Sequence, residues 1–219
     1  MKTKELYQER MKRMDDALAV REPDRVPVIP YVQTYCITHY GHSMAEALYN
    51  AEAAKDSIRK YLAEYEPDAN YGYGAFFCGM GPAFDKVGLK MLHWAGQKNG
   101  ICTDNSIHQF VEKPYLEDDE YPEMLRDLSG WTMKKYLPRN LEVMAPLANL
   151  SFDSMLGYGA FPALMQFANP KVVKMFETLA EAGKIAADVY QQISDFDQEM
   201  IEAGYPLLLN GTTTVAFDM

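Results

Sequence analysis

Apolar residues fall at two periods along this chain, and the alternation between them outlines its elements. Leu6, Tyr7, Met11, Met14 and Leu18 recur at mixed spacings of three and four, which predicts an amphipathic helix over 3–20. Glu22-Pro23-Asp24 stops it, because proline cannot continue the hydrogen-bond ladder. The run Arg25-Val26-Pro27-Val28-Ile29-Pro30 is short, apolar and bounded by prolines, and predicts a buried strand. A second helix is predicted over 43–65, opened by a Ser43-Met44-Ala45-Glu46 capping box and closed by Glu66-Pro67-Asp68.

Residues 69–74 predict a strand end running into a loop, and the glycine-rich stretch 75–105 a long excursion of short elements. A weak alternation over 107–111 predicts a strand. The acidic run 116–120 leads into a helix with Tyr121, Met124, Leu125 and Leu128 inward, since carboxylates are favoured at helix starts. Asn169-Pro170 is a strong start signal. From it a long helix is predicted to about Ala203, with Val172, Val173, Phe176, Leu179, Ala180, Gly183, Ala187, Tyr190, Ile193 and Phe196 on its apolar face. Gly183 and Ser194 are candidate breaks, Gly204 closes the helix, and 206–209 reads as a buried parallel strand.

Strands alternating with helices predict an α/β architecture, in which chemistry gathers at the carboxyl ends of strands. That places candidate function at 33–39, 71–76 and 210–218. Gln33, Tyr35, His39, Tyr73 and Asn210 are the candidate ligand-binding side chains there, and Tyr35, Tyr71, Tyr73 and Phe76 suit an aromatic wall. Asp218, just past the apolar 207–209 run, is a candidate carboxylate for orienting or protonating a substrate, with a helix cap as the alternative. His108 is either a pocket acid or base or a satisfied structural histidine. Cys36, His39 and His42 lie three apart and offer zinc-type donors, but no fourth ligand accompanies them, and no metal set is assigned.

Charge and composition narrow the field. The formal charge is −10, and no run of Lys and Arg builds a groove for nucleic acid or an anionic membrane surface. No nucleotide-binding glycine motif is present. Three cysteines match no disulfide framework and fit a reducing, cytoplasmic setting.

Several of these pieces together resemble a known family. Tyr7-Gln8-Glu9-Arg10-x-x-Arg13-x-x-Asp16-Ala17-x-Ala19 and Glu22-Pro23-Asp24-Arg25-Val26-Pro27-Val28 resemble the opening of the uroporphyrinogen decarboxylase superfamily, closer to its methyltransferase-like branch. Glu66-Pro67-Asp68, Gly157-Tyr158-x-Ala160-Phe161, Glu202-Ala203-Gly204-Tyr205-Pro206 and Thr213-Thr214-x-x-Phe217-Asp218 extend the likeness along the chain. The resemblance implies a (β/α)8 barrel. A closed barrel usually needs about 250 residues, and the family's barrels continue well past the Phe217-Asp218 motif, so the resemblance implies that 1–219 is the N-terminal part, about half a barrel. It further implies corrinoid-dependent methyl transfer, with a corrinoid protein as partner, zinc held by residues that this sequence does not contain, and a barrel completed either by a missing C-terminal half or by a second copy as a dimer. True decarboxylases carry an arginine-rich stretch after the first strand, because guanidinium forks clamp carboxylates. Here 31–39 contains no arginine, which favours methyl transfer over porphyrinogen decarboxylation. A non-catalytic domain completed by self-association is the third expectation.

Overall fold

A computed structural model describes residues 2–32, 34–72, 77–151 and 164–208. The described residues are mostly helical, with one two-stranded antiparallel sheet. They divide into two compact units. The first comprises Met1–Gly81, Trp94–Ile107 and Ala187–Met219, and the second Pro82–His93 and His108–Ala186.

The first unit contains α1 (Lys2–Leu18), α2 (Tyr35–Thr38), α3 (Met44–Tyr49) and α4 (Ala51–Tyr65). The predicted 43–65 helix is thus two helices. Asn50 leaves helical geometry and its side chain caps the second through the Glu52 N–H. Ser43 caps the first as predicted, accepting from the Glu46 N–H at 3.0 Å. The Glu46 carboxylate takes the His42 ring instead of closing the box. Glu66 ends α4 in the left-handed region at φ 44°.

The expected buried strand over 25–30 is not formed. Val26 and Val28 are exposed, at 77% and 52%. Pro27 and Pro30 remove two donors from a six-residue run, so no ladder can propagate. One attachment survives: the Asp68 N–H donates to Val28 O at 2.9 Å, and the Val28 N–H donates to the Asp68 carboxylate at 2.7 Å. The next connection is also brief. Asn70 pairs in parallel with Leu207, through Asn70 N–H to Pro206 O at 2.8 Å and Leu208 N–H to Asn70 O at 3.0 Å. Parallel pairing at 207 therefore exists as a single bridge.

Asp68 is fully buried and accepts four hydrogen bonds. They come from Arg13 (2.5 Å), both terminal nitrogens of Arg25 (2.7 Å each) and the Val28 N–H. Burial alone would raise its pKa. The Val28 amide and the two guanidiniums outweigh that and hold it below the ordinary carboxylate value. Arg13 is itself buried and also bonds Glu9 and Asp24. Arg10 donates to Gly204 O at 2.7 Å and lies over the Tyr205 ring, whose hydroxyl donates to Leu62 O at 2.7 Å.

The second unit holds α5 (Gly81–Val87, whose first residue belongs to the first unit), the antiparallel strands β1 (Leu92–His93) and β2 (Gln109–Phe110), and short helices α6 (Tyr121–Arg126), α7 (Leu128–Trp131) and α8 (Leu137–Asn140). The predicted 107–111 strand appears as β2, with Leu92 opposite Phe110. The expected inward face of the following helix is overturned. Tyr121, Leu125 and Leu128 are exposed. The backbone leaves helical geometry at Asp127, which caps α7 through the Gly130 N–H, so one apolar register does not persist. Glu120, predicted as one acid of a helix start, is buried. It receives Arg139, the Trp131 indole N–H and Lys135. The core beside it gathers Leu147, Leu150, Val172 and Met175.

Helix α9 (Pro170–Glu202) runs unbroken for 33 residues, about 50 Å at 1.5 Å per residue, through both candidate break positions. Asn169 caps it through the Lys171 N–H, and Gly204 ends it at φ +97°. Its buried face differs from the predicted one. Val172, Met175, Ala182, Val189, Phe196 and Met200 are buried, whereas Val173, Phe176 and Tyr190 are exposed. The buried stripe keeps spacings of three, four and seven, one residue out of phase with part of the expected stripe.

Breaking one side of a buried ion pair leaves a charge without compensation, which costs about 3–5 kcal/mol. Asp68→Asn is therefore expected to lower the urea midpoint by a loss of that size with an unchanged m-value. Because the folded pKa is depressed, the stabilisation is present above the unfolded value and is lost as pH falls through about 4 and below. The variant is expected to show a shallower acid dependence, and an unchanged midpoint would refute the role assigned to Asp68.

Candidate functional site

The segments 28–32, 69–72 and 35–39 of the first unit assemble an aromatic and polar region at the positions where strand ends were expected. Tyr31 and Tyr71 meet edge to face with ring centres 5.0 Å apart. Beside them lies a small cavity of ≈ 20 Å³, bordered by Cys36, Ile58, Tyr61 and Asn70. Elsewhere on these two residues, the Tyr61 hydroxyl and Asn70 Nδ2 are buried with no hydrogen-bond partner among the described residues. Leaving a buried donor unpaired costs about 1–3 kcal/mol. Burial pushes the Cys36 thiol up to about 12 and raises the Tyr61 phenol, so both groups are neutral at pH 7.

A more open aromatic group sits on α2 and α4. Tyr35 stacks on His39 with centres 4.8 Å apart and planes 21° apart. Its hydroxyl meets that of Tyr65 at 2.8 Å, and this hydrogen bond, with burial, pushes Tyr65 up to about 12. One turn of helix explains the stack, because residues four apart share a face. His42 is held separately, Nδ1 by Glu46 at 2.9 Å and Nε2 by Asp56 at 3.2 Å, and the carboxylates raise its pKa. Cys36, His39 and His42 thus have three different environments. Among the described residues no group of three His, Cys, Asp or Glu side chains is placed to hold a metal ion.

Of the predicted site residues, Tyr35 and His39 are brought together. Gln33, Tyr73, Asn210 and Asp218 lie outside the described residues. His108 belongs to the second unit, half-buried, with its ring edge-on to Phe110 at 5.8 Å. Burial lowers its pKa, which favours the neutral imidazole.

Sequence reasoning passed over Asp197. This carboxylate sits on α9 next to the buried Phe196, with Oδ1 buried and unpaired among the described residues. It faces Gly72, which has φ +72°, and a Cβ at position 72 would come within 2.9 Å of Oδ1. Burial pushes its pKa up to about 6. The available signal was an acid flanking the apolar stripe of a helix. The buried, unpaired Tyr61 hydroxyl is a further feature that periodicity does not report.

All five arginines of the first unit are engaged by protein acceptors. Arg10 bonds a carbonyl, and Arg13, Arg21, Arg25 and Arg59 bond carboxylates of Asp24 and Asp68, Asp16, Asp68, and Glu199 respectively.

No family model, curated protein or solved structure matches the chain.

Between about pH 4 and 6 the folded chain retains a proton on Asp197 that the unfolded chain has released. Stability therefore falls as pH rises through that window and stays reduced above it. Asp197→Asn is expected to exceed the parent by about 1–3 kcal/mol at pH 7 and to match it near pH 4. Urea melts at four pH values check this, and a gap independent of pH would count against it.

Proposed function

We propose that this chain is a corrinoid-dependent methyltransferase-like protein of the uroporphyrinogen decarboxylase superfamily, built as part of a (β/α)8 barrel and acting in the cytoplasm. The observation that carries the reading is the character of the region after residue 30. It has no arginine, it presents the exposed Tyr35–His39 stack beside Tyr65, and the arginines of the first unit are already paired with protein groups. A flat aromatic and imidazole surface suits the face of a large, largely apolar ring better than a set of carboxylates.

The motif residues lend support to the barrel reading. Arg13, Asp24, Arg25 and Asp68, all within the resembling segments, converge on one buried network joining three chain segments. Adjacent attachments at 28 with 68 and at 70 with 207 run in the order that successive parallel strands would take. Three free thiols fit a reducing compartment. Among the described residues no helix is long and apolar enough to cross a membrane.

In this reading the corrinoid arrives on a partner protein, and zinc is supplied through residues outside this sequence. Tyr35 and His39 contact the corrinoid, with Gln33, Tyr73 and Asn210 as the remaining ligand-binding candidates. Asp218 and His108 are the proposed acid–base groups. Self-association is the second proposed interaction. Its support is the exposure of Leu18 and Leu208 around an apolar groove of about 300 Å³ in the first unit.

Titration with methylcobalamin, followed by absorbance, is expected to show a saturable spectral change that His39→Ala and Tyr35→Ala each weaken at least tenfold. No spectral response at any corrinoid concentration would sink the proposal, and loss of carboxylate from uroporphyrinogen instead would establish the decarboxylase reading. Sedimentation across the micromolar range is expected to show a concentration-dependent dimer, and a monomer throughout removes self-association.

A further inference from the structure

His42 lies in the turn between α2 and α3, and each of its ring nitrogens meets a carboxylate. Nδ1 is 2.9 Å from Glu46 of α3, and Nε2 is 3.2 Å from Asp56 of α4. A neutral imidazole has one N–H and one bare nitrogen, and an ionised carboxylate only accepts. The neutral ring therefore satisfies one of these contacts, and at the other two lone pairs face each other. The imidazolium, with two N–H groups, makes both. Lys60 also bonds Asp56, at 2.6 Å, and with His42 holds that carboxyl below its ordinary value. The neighbouring charges are engaged elsewhere. Arg59 of α4 is bidentate on Glu199, and Asp104 meets the start of α3 through its backbone carbonyl, which accepts from the Ala45 N–H at 2.8 Å. Helix α2 has no charged residue. The Tyr40 hydroxyl donates to Glu64 of α4 at 2.7 Å, and burial with that carboxylate raises the phenol's pKa, so this attachment persists through neutral pH. Gly41 takes φ +87°, and a Cβ there would meet nothing within 4 Å, which leaves the turn room to move.

We propose that His42 is a proton-operated clasp that ties the 39–43 turn to α3 and α4 together as imidazolium and lets go of α4 as the neutral ring. On losing a proton it keeps the closer Glu46 through Nδ1–H, and the bare Nε2 releases Asp56, which stays with Lys60. Tyr40 then keeps the turn on α4. His39, stacked on Tyr35, belongs to the same turn, so the clasp sets how firmly that exposed stack is held. The bond to Glu46, and then that to Asp56, raise the ring's pKa above its ordinary value against the effect of burial. The clasp's contribution to stability is therefore complete below about 6.5, the unfolded value, and is lost as pH rises through the raised folded value.

Long-range proton–nitrogen NMR of the histidine rings in the whole chain, from about pH 5 to 9, reads which nitrogen holds the proton. The neutral His42 ring is expected to carry it on Nδ1, the reverse of the form that free histidine favours. Over the same range, protection of the Gly41 and Ala45 amides against exchange, corrected for the intrinsic rate, is expected to fall about threefold. Asp56→Asn keeps the shape and supplies an N–H that can donate to the bare Nε2. It is expected to abolish the fall, and His42→Gln, which cannot titrate, is expected to do the same. The inference is overturned if the neutral ring holds its proton on Nε2, if protection in the parent does not change with pH, or if both variants show the parent's fall. The ring measurement needs no variant, and no corrinoid enters any arm, so a failed corrinoid titration leaves these outcomes untouched.

Discussion

The first unit depends on one buried carboxylate. Asp68 is removed from water, and a carboxylate in that position is tolerable only if its lone pairs are filled. Arg13 from α1, Arg25 from the following segment and the Val28 amide fill them. These bonds fix three things together: the angle at which α1 meets the turn after α4, the path of residues 24–28, and the position of 68–70. The Asn70 bridge to Leu207 then follows, since its partner segment is anchored by Arg10 on Gly204 and by the Tyr205 hydroxyl on Leu62. A small cavity lies just beyond this network, bordered by Pro30 and by Ala69 and Asn70. The ion network therefore positions the candidate site without entering it.

Side chains here take over work that backbone ladders perform in regular sheets. With prolines at 27, 30, 67 and 206, most of the donors that would propagate pairing are missing or displaced. The Val28 N–H goes to a carboxylate in place of a carbonyl. The second unit solves its own version of this problem with Glu120, whose buried carboxylate holds α7 and α8 through Trp131 and Arg139. In both units an acid that reads as a helix stop or a helix start in the sequence becomes the point where neighbouring segments meet.

The start of α9 at Asn169-Pro170, the cap at Ser43 and the end at Gly204 were legible, because each depends on local backbone chemistry. The buried face of α9 was legible only in part. Two apolar stripes run along it, one through Val172, Met175, Ala182, Val189 and Phe196, the other through Val173, Phe176, Ala180 and Tyr190. Both satisfy a helical period, and periodicity has no means of choosing between them. Packing chose the first. Likewise the pairing of Tyr35 with His39 follows from their spacing of four on a helix, whereas Tyr61 and Asn70 owe their shared cavity to two elements separated in sequence.

By itself the sequence determined where α9 begins and ends, that Ser43 would cap α3, and that no arginine would stand in the segment after residue 30. These are properties of single residues and their near neighbours, set by dihedral preference, donor count and charge. The tertiary structure alone decided that Asp68 and Glu120 are buried hubs, which stripe of α9 faces inward, and that Asp197, Tyr61 and Asn70 carry buried atoms without a partner among the described residues. Each of those outcomes depends on what a distant segment brings to the same place. A carboxylate's solvation, a ring's neighbours and a donor's missing partner are facts about pairs of residues far apart in the chain, and no local pattern encodes them.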